Sequence, residues 1–181
     1  MTGDPDHSTG TATIAIAVEA DDWGGALPDC EALIEAAARA ALAGTCPELP
    51  ANTIVSVLLA DDATLRELNR VWRGQDKPTN VLSFPATETR AGAVPERDFA
   101  GVPLELGDIA LAFETCRQEA QVLSKPLADH VAHLAVHGVL HLLGYDHIED
   151  ADAAVMMNLE TVVLARLGIP DPYLSGDTVD G

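Results

Sequence analysis

Histidines are concentrated in one segment of the chain. Five of the six histidines lie between positions 130 and 147, in the stretch HVAHLAVHGVLHLLGYDH. On an α-helix with about 100° per residue, the first four of them would project from one face within a span of about 80°. His137 and His141 stand four residues apart, which places their side chains one turn apart and lets both bind a single ion. The pattern therefore predicts a metal site on a helix.

A third ligand is predicted just after this helix. Gly144 allows the chain to leave the helix in a left-handed conformation, which would bring His147 back toward His137 and His141. Three neutral imidazoles with a fourth position open to water are typical of catalytic zinc. We therefore predict one Zn²⁺ ion held by these three histidines. For His130 and His133, hydrogen bonding to the ligands, contact with substrate and a place in the core are open alternatives.

Gly138 distinguishes this pattern from that of a known peptidase class. The spacing H-x3-H-x2-G-x2-H also occurs in metzincin peptidases, where a Glu follows the first His and acts as the general base. In this chain that position is Gly138. The sequence thus keeps the metal-binding spacing and lacks the peptidase base.

A second stretch, LNRVWRGQDKPTNVLSFP at positions 68–85, carries polar groups suited to a phosphate. Arg73 presents a planar fork that can bind a phosphate with two hydrogen bonds, and Lys77 adds a point charge. Asn80 and Ser83 could add hydrogen bonds. We therefore predict that Arg73, Lys77, Asn80 and Ser83 contact substrate.

The charge of the chain is strongly acidic. With 29 acidic and 10 basic residues the net charge is −19, which taken alone argues against a nucleic-acid partner. Six of the ten basic residues nevertheless lie between positions 66 and 97. A local cationic patch can persist within an acidic protein.

Hydrophobic periodicity predicts one α+β domain with a small mixed four-stranded sheet and about five helices, in the order βαβαββααα. The predicted strands are 11–18, 53–60, 80–84 and 106–112, and the predicted helices are 28–43, 61–72, 114–123, 127–143 and 149–167. Residues 1–10 are predicted to be a disordered lead, 11–170 the domain and 171–181 a loose tail. Residues 86–103 are predicted to form a long mobile loop. Trp72 is interpreted as a core anchor, and the three cysteines as buried thiols.

Together the two motif stretches resemble the YbeY family of endoribonucleases. The family pattern H-G-x-L-H-L-x-G-Y-D-H is matched at every fixed position by residues 137–147, P-T-[DN]-V-L-S-F-P by residues 78–85, and L-G-D-I by residues 106–109. The resemblance implies a single-strand-specific endoribonuclease that matures the 3′ end of small-subunit rRNA and takes part in ribosome quality control. It also implies His137, His141 and His147 as metal ligands and Arg73 as a residue important for activity. The expected partners are RNA and the small ribosomal subunit with its proteins, without DNA or membrane.

The expected chemistry is metal-assisted hydrolysis of a phosphodiester. His133 and Asp146 are both candidates for the general base, and the sequence does not choose between them. Two other functions are alternatives: a zinc peptidase or amidohydrolase using the same ligands, and a non-catalytic ribosome assembly factor stabilised by metal. The polar, acidic start of the chain has no basic and apolar signal regions, which leads us to expect a cytoplasmic location.

Overall fold

Four segments of the chain form one sheet, and the first two of them are rich in β-branched residues. The structure, a computed structural model, describes residues 12–96, 99 and 101–174, so the predicted lead at 1–10 lies outside the described residues. The strands are β1 (Thr13–Val18), β2 (Thr53–Ala60), β3 (Val81–Pro85) and β4 (Leu104–Ala112). Their order in the sheet is β1-β2-β4-β3, in which β1, β2 and β4 run parallel and β3 runs antiparallel to β4. The predicted mixed four-stranded sheet is confirmed.

Six helices accompany the sheet within the described part of the chain. They are α1 (Asp22–Ala26), α2 (Cys30–Thr45), α3 (Asp62–Arg73), α4 (Phe113–Val122), α5 (Leu127–Leu142) and α6 (Asp150–Arg166). Five of them begin and end within two residues of the predicted helices. Helix α1 is not among the predicted helices, because its two glycines disfavour a helix. Tertiary contacts hold α1 instead, because the indole of buried Trp23 donates to the Ala60 carbonyl at 2.9 Å and its ring meets Phe113 edge-on.

Helix α5 passes through the interior against one face of the sheet. Every residue from His130 to Leu142 except His141 is buried, as expected for a helix that is apolar on most sides. A Cβ atom at Gly138 would lie 2.9 Å from the side chain of Ile109 on β4, so the absence of a side chain lets α5 approach the sheet closely. This close packing fixes where the histidines of α5 lie relative to the strands.

The opposite face of the sheet is only partly covered, by α3. Leu68, Trp72 and Phe84 line a groove of about 550 Å³ over this face. The prediction of Trp72 as a core anchor is wrong: its side chain is 70% exposed and contacts the edge of Phe84. The reason is that, in the described part of the chain, no further layer of structure covers Trp72 on this face of the sheet.

The loop after β3 and residues 171–174 are both attached to the domain. Residues 86–96 contain no helix or strand, as predicted, but the Gly92 amide donates to the Leu143 carbonyl at the end of α5, at 3.0 Å. The prediction of a loose tail is wrong for residues 171–174, because Tyr173 is hydrogen-bonded to α6 and Pro172 is buried.

The cysteines take no part in a disulfide. All three of them are free and buried, as predicted. Among the described helices, none combines the length and the apolar character needed to cross a bilayer.

Candidate metal centre and its cleft

Three imidazoles converge at the C-terminal end of α5. His137 and His141 lie one turn apart on the helix, and Gly144, with a φ of 85°, turns the chain so that His147 returns to them. The possible ligand atoms of the three residues all lie within 4.8 Å of one another. His137 is buried, His141 is half-buried and His147 is exposed, so the cluster opens toward solvent on the side of His147.

The hydrogen bonds of the rings determine which nitrogens are available for a metal. The Nδ1 atom of His137 lies 2.6 Å from Glu160 Oε1, and the Nδ1 atom of His141 lies 2.9 Å from the Tyr145 carbonyl oxygen. Because both oxygens are acceptors, both Nδ1 atoms must donate, which leaves a lone pair on each Nε2 of the neutral rings. These two Nε2 atoms are 3.0 Å apart.

This donor set fits a divalent cation. Two lone pairs that face each other at 3.0 Å repel unless a positive charge lies between them. Two ligands about 2.05 Å from a tetrahedral Zn²⁺ would be about 3.3 Å apart, close to the separation present here. The three histidines could therefore hold one metal ion, His137 and His141 through Nε2, with an approach from solvent left open beside His147.

Burial favours the neutral form of two histidines at the site, His141 and His133, and the neutral form is the one that binds metal. Burial, together with the neighbouring His137 and His147, lowers the pKa of His141 to about 4. Burial likewise lowers the pKa of His133, although a hydrogen bond with Glu160 opposes the shift. At neutral pH, His141 therefore presents a lone pair rather than a proton to an incoming cation.

Glu160 is a site residue that the sequence analysis missed. It lies on α6, is fully buried, and its Oε2 atom also accepts hydrogen bonds from His133 Nε2, at 3.2 Å, and from the Tyr173 hydroxyl. Burial raises the pKa of its carboxyl group, but the hydrogen bonds from His133 and His137 outweigh burial and lower this pKa to about 2. The available signal was a single acid among the apolar residues in the second half of α6.

A cleft of about 350 Å³ lies beside the histidine cluster. Its walls include His141, Arg73, Ser83, Asp146 and the loop residues 87–89. The structure thus brings Arg73 and Ser83 from the second motif stretch to the same cleft as a predicted metal ligand. Glu88, which the sequence analysis did not single out, adds a second carboxylate to the walls.

Three of the residues predicted to contact substrate or act as the general base do not line this cleft. The side chain of Asn80 is buried and binds Glu119, at 3.0 Å, and the Val81 amide, which leaves it unable to reach substrate. Lys77 is exposed but does not line the cleft. His133 is buried against Glu160, which removes it as a candidate base for a substrate in the cleft.

His130 and His133 both serve as internal hydrogen-bond partners. The Nε2 atom of His130 lies 2.7 Å from Glu119 Oε2, on the part of α5 that faces α4. His133 contacts the same carboxylate as the metal ligand His137. Of the alternatives open from sequence, the structure supports a core polar group for His130 and a hydrogen-bonding role behind the ligands for His133.

Arg73 differs from the other arginines of α3. Arg66 pairs with Asp76 at 2.6 Å and Arg70 pairs with Glu67 at 2.6 Å, so both charges are balanced locally. Within the described residues Arg73 forms no ion pair, and it lines the cleft. An unpaired guanidinium beside a metal site is suited to an anionic group such as a phosphate.

Fold and site together define a class of protein. It is a small α+β domain with a three-histidine centre that opens into a cleft, the ligand set of catalytic rather than structural zinc sites. Residues 25–168 match the model of the family described as Endoribonuclease YbeY, and the chain belongs to that family.

Relatives with the same printed description cover most of the chain. A protein of Paramagnetospirillum magneticum called Endoribonuclease YbeY is 52% identical over 167 residues, which are 91% of this chain and 98% of that protein. One of Bradyrhizobium diazoefficiens, also called Endoribonuclease YbeY, is 54% identical over 158 residues, 87% of this chain and 83% of that protein. The solution structure of TM1509 from Thermotoga maritima has the same fold, with a TM-score of 0.55 and 24% identity over 93% of this chain and 99% of that one. The family resemblance and the fold class are both confirmed.

Proposed function

We propose that the protein is a zinc-dependent, single-strand-specific endoribonuclease of the cytoplasm. Its substrate would be rRNA, with a role in maturing the 3′ end of small-subunit rRNA and in ribosome quality control, in contact with the small subunit and its proteins. The observation that supports the proposal most directly is the common cleft of Arg73 and His141. A phosphodiester in this cleft would meet a guanidinium and the open side of a metal centre at once.

Each residue of the centre has a distinct part in the proposal. His137, His141 and His147 hold the ion, which would supply a Lewis acid able to lower the pKa of bound water toward about 7. Arg73 binds phosphate oxygens and offsets the charge that develops on them. Ser83 lies on the same wall, from which its hydroxyl can donate to the substrate. Lys77, outside the cleft, would contact a neighbouring phosphate of the strand.

Two carboxylates of the cleft are candidates for the general base. Asp146 follows the helix of the ligands, and Glu88 lies on the loop across the cleft. Asp146 Oδ1 also accepts the Ile148 amide at 3.1 Å, a contact that Asn can preserve. We therefore expect Asp146→Asn and Glu88→Gln to show which of the two carboxylates is the general base. The base is the residue whose neutral variant loses cleavage while it retains zinc.

The decisive test compares His141→Ala with His130→Ala, which removes an imidazole of the same helix that is not a proposed ligand. Zinc content by mass spectrometry and cleavage of a single-stranded rRNA fragment are measured for both variants. We expect His141→Ala to lose both properties and His130→Ala to retain zinc. Retention of zinc and cleavage by His141→Ala would refute the ligand assignment and the proposed function with it.

The same assays address the two alternatives. A peptidase of the related spacing needs a Glu at position 138, where a Cβ atom alone would lie 2.9 Å from Ile109, so the packing leaves no space for it. We expect no hydrolysis of casein under conditions that cleave RNA. A non-catalytic assembly factor would bind zinc and gain thermal stability from it, yet never cleave RNA in purified form.

A further inference from the structure

Glu160 connects three separate parts of the chain behind the metal centre. Its Oε1 atom accepts from His137 Nδ1 at 2.6 Å, and its Oε2 atom accepts from His133 Nε2 and from the Tyr173 hydroxyl. The Glu160 side chain has no solvent exposure, and His133 and His137 are each only 2–3% exposed. Each carboxylate oxygen therefore has a fixed partner inside the protein.

Tyr173 belongs to residues 171–174, which we call the C-terminal segment. Hydrogen bonds within this segment and to the rest of the protein hold Tyr173 in place. Asp171 Oδ1 accepts from the Tyr173 amide at 2.9 Å and from Thr161 Oγ1, on α6, at 3.2 Å. The Pro172 carbonyl accepts from Lys125 Nζ at 2.6 Å, just before α5 begins. The segment is thus attached to α6 and to the residue two positions before α5.

We infer that Glu160 is a positioning residue for the metal ligand His137, and that Tyr173 holds Glu160 in the orientation this requires. The inference rests on the proposed metal site. A carboxylate that accepts from Nδ1 fixes the tautomer in which Nε2 carries the lone pair, and it makes that nitrogen a stronger ligand. The partners of Oε2 prevent the carboxylate from rotating away, because any rotation would break their hydrogen bonds in a buried place.

The chain contains a matched control on the same helix. Glu119 accepts from His130 at 2.7 Å, a contact like that between Glu160 and His137, but His130 is not among the histidines that converge. Removing the Glu119 carboxylate disturbs a helix–helix contact of α5 without touching a proposed ligand. A purely structural effect on α5 should therefore appear in Glu119→Gln as well.

The test measures Zn²⁺ affinity by competition with a chelator in the full-length protein and in Glu160→Ala, Glu160→Gln, Tyr173→Phe and Glu119→Gln. Loss of such a partner typically weakens metal binding about 10- to 100-fold, which we expect for both Glu160 variants. For Tyr173→Phe, which leaves the carboxylate in place, we expect a smaller loss of about three- to tenfold. Glu119→Gln should bind Zn²⁺ within about twofold of the unmodified protein, because its effect does not reach a ligand.

A second measurement separates positioning from folding. Long-range ¹H–¹⁵N NMR of the metal-free protein reports which nitrogen of each imidazole carries the proton. We expect His137 to be protonated at Nδ1 in the unmodified protein and to become a tautomer mixture in Glu160→Ala, while His141 stays unchanged. If the Glu160 variants do not fold, Tyr173→Phe alone decides. Equal Zn²⁺ affinity in every folded variant refutes the positioning role, whereas absence of Zn²⁺ binding by the unmodified protein refutes the metal site itself.

Discussion

Replacing Gly144 with Ala should destabilise the protein through two additive effects. Gly144 has a φ of 85°, a left-handed conformation that costs an L-residue about 1–2 kcal/mol. In addition, the new Cβ atom would lie 2.3 Å from the Thr89 carbonyl oxygen and 2.9 Å from the Arg90 carbonyl carbon. The loop after β3 would have to move by about 1 Å to restore normal contact, and overpacking of this kind costs about 1–3 kcal/mol. The sum is about 2–5 kcal/mol of unfolding free energy.

Gly74→Ala is the control for this prediction. Gly74 has a φ of 69°, but nothing lies within 4 Å of the position of its missing Cβ. Only the conformational cost of about 1–2 kcal/mol applies there. The difference between the two variants, about 1–3 kcal/mol, isolates the contact between Gly144 and the loop.

Urea unfolding of the metal-free proteins measures this difference, with the fluorescence of buried Trp23 as the probe. We also expect Gly144→Ala to weaken Zn²⁺ binding, because Gly144 directs His147 back to the cluster, while Gly74→Ala leaves Zn²⁺ affinity unchanged. If Gly144→Ala costs no more than Gly74→Ala, the loop does not pack against the turn as described.

Three further predictions concern a helix cap, the core and the cleft. Asp61→Ala should lower the unfolding free energy, measured with urea, by about 1 kcal/mol, because the Asp61 side chain caps α3 by accepting a hydrogen bond from the Thr64 amide. Asp61→Ser should retain most of this stabilisation. Leu134→Ala should cost about 2–5 kcal/mol, because Leu134 is fully buried in the core; a cost below about 1 kcal/mol would contradict that burial. Arg73→Ala should abolish most RNA cleavage without loss of zinc. It should also reduce, by about 0.7, the slope of the logarithm of the RNA-binding constant against the logarithm of the salt concentration. Arg73→Lys should retain that slope and still cleave poorly. An unchanged salt slope in Arg73→Ala would show that Arg73 does not bind phosphate.

The predicted elements agree with the structure because their signals are local. The strands and the five longer helices have apolar periodicity that matches their own geometry, and Gly74 ends α3 in a left-handed conformation. The short helix α1 could not be predicted in this way. Its stability comes from Trp23, whose partner Ala60 lies 37 positions further along the chain.

Packing between elements decides which of the predicted substrate-binding residues line the cleft. Asn80 and Ser83 are polar residues of one short stretch, yet Asn80 is buried against Glu119 of α4 while Ser83 lies on the cleft wall. Trp72 was expected inside and is exposed, because α3 leaves part of the sheet uncovered. Burial of a polar or aromatic side chain depends on neighbours that are distant in sequence.

The sequence alone determined the histidine cluster, since a spacing of four residues on a helix and a glycine after it bring His137, His141 and His147 together through local geometry. Only the tertiary structure decided what surrounds them. Glu160 lies 23 positions from His137, and Glu88, which lines the cleft, lies 53 positions before His141. These contacts depend on how α6 and the loop pack against α5, and no periodicity within a single segment encodes that packing.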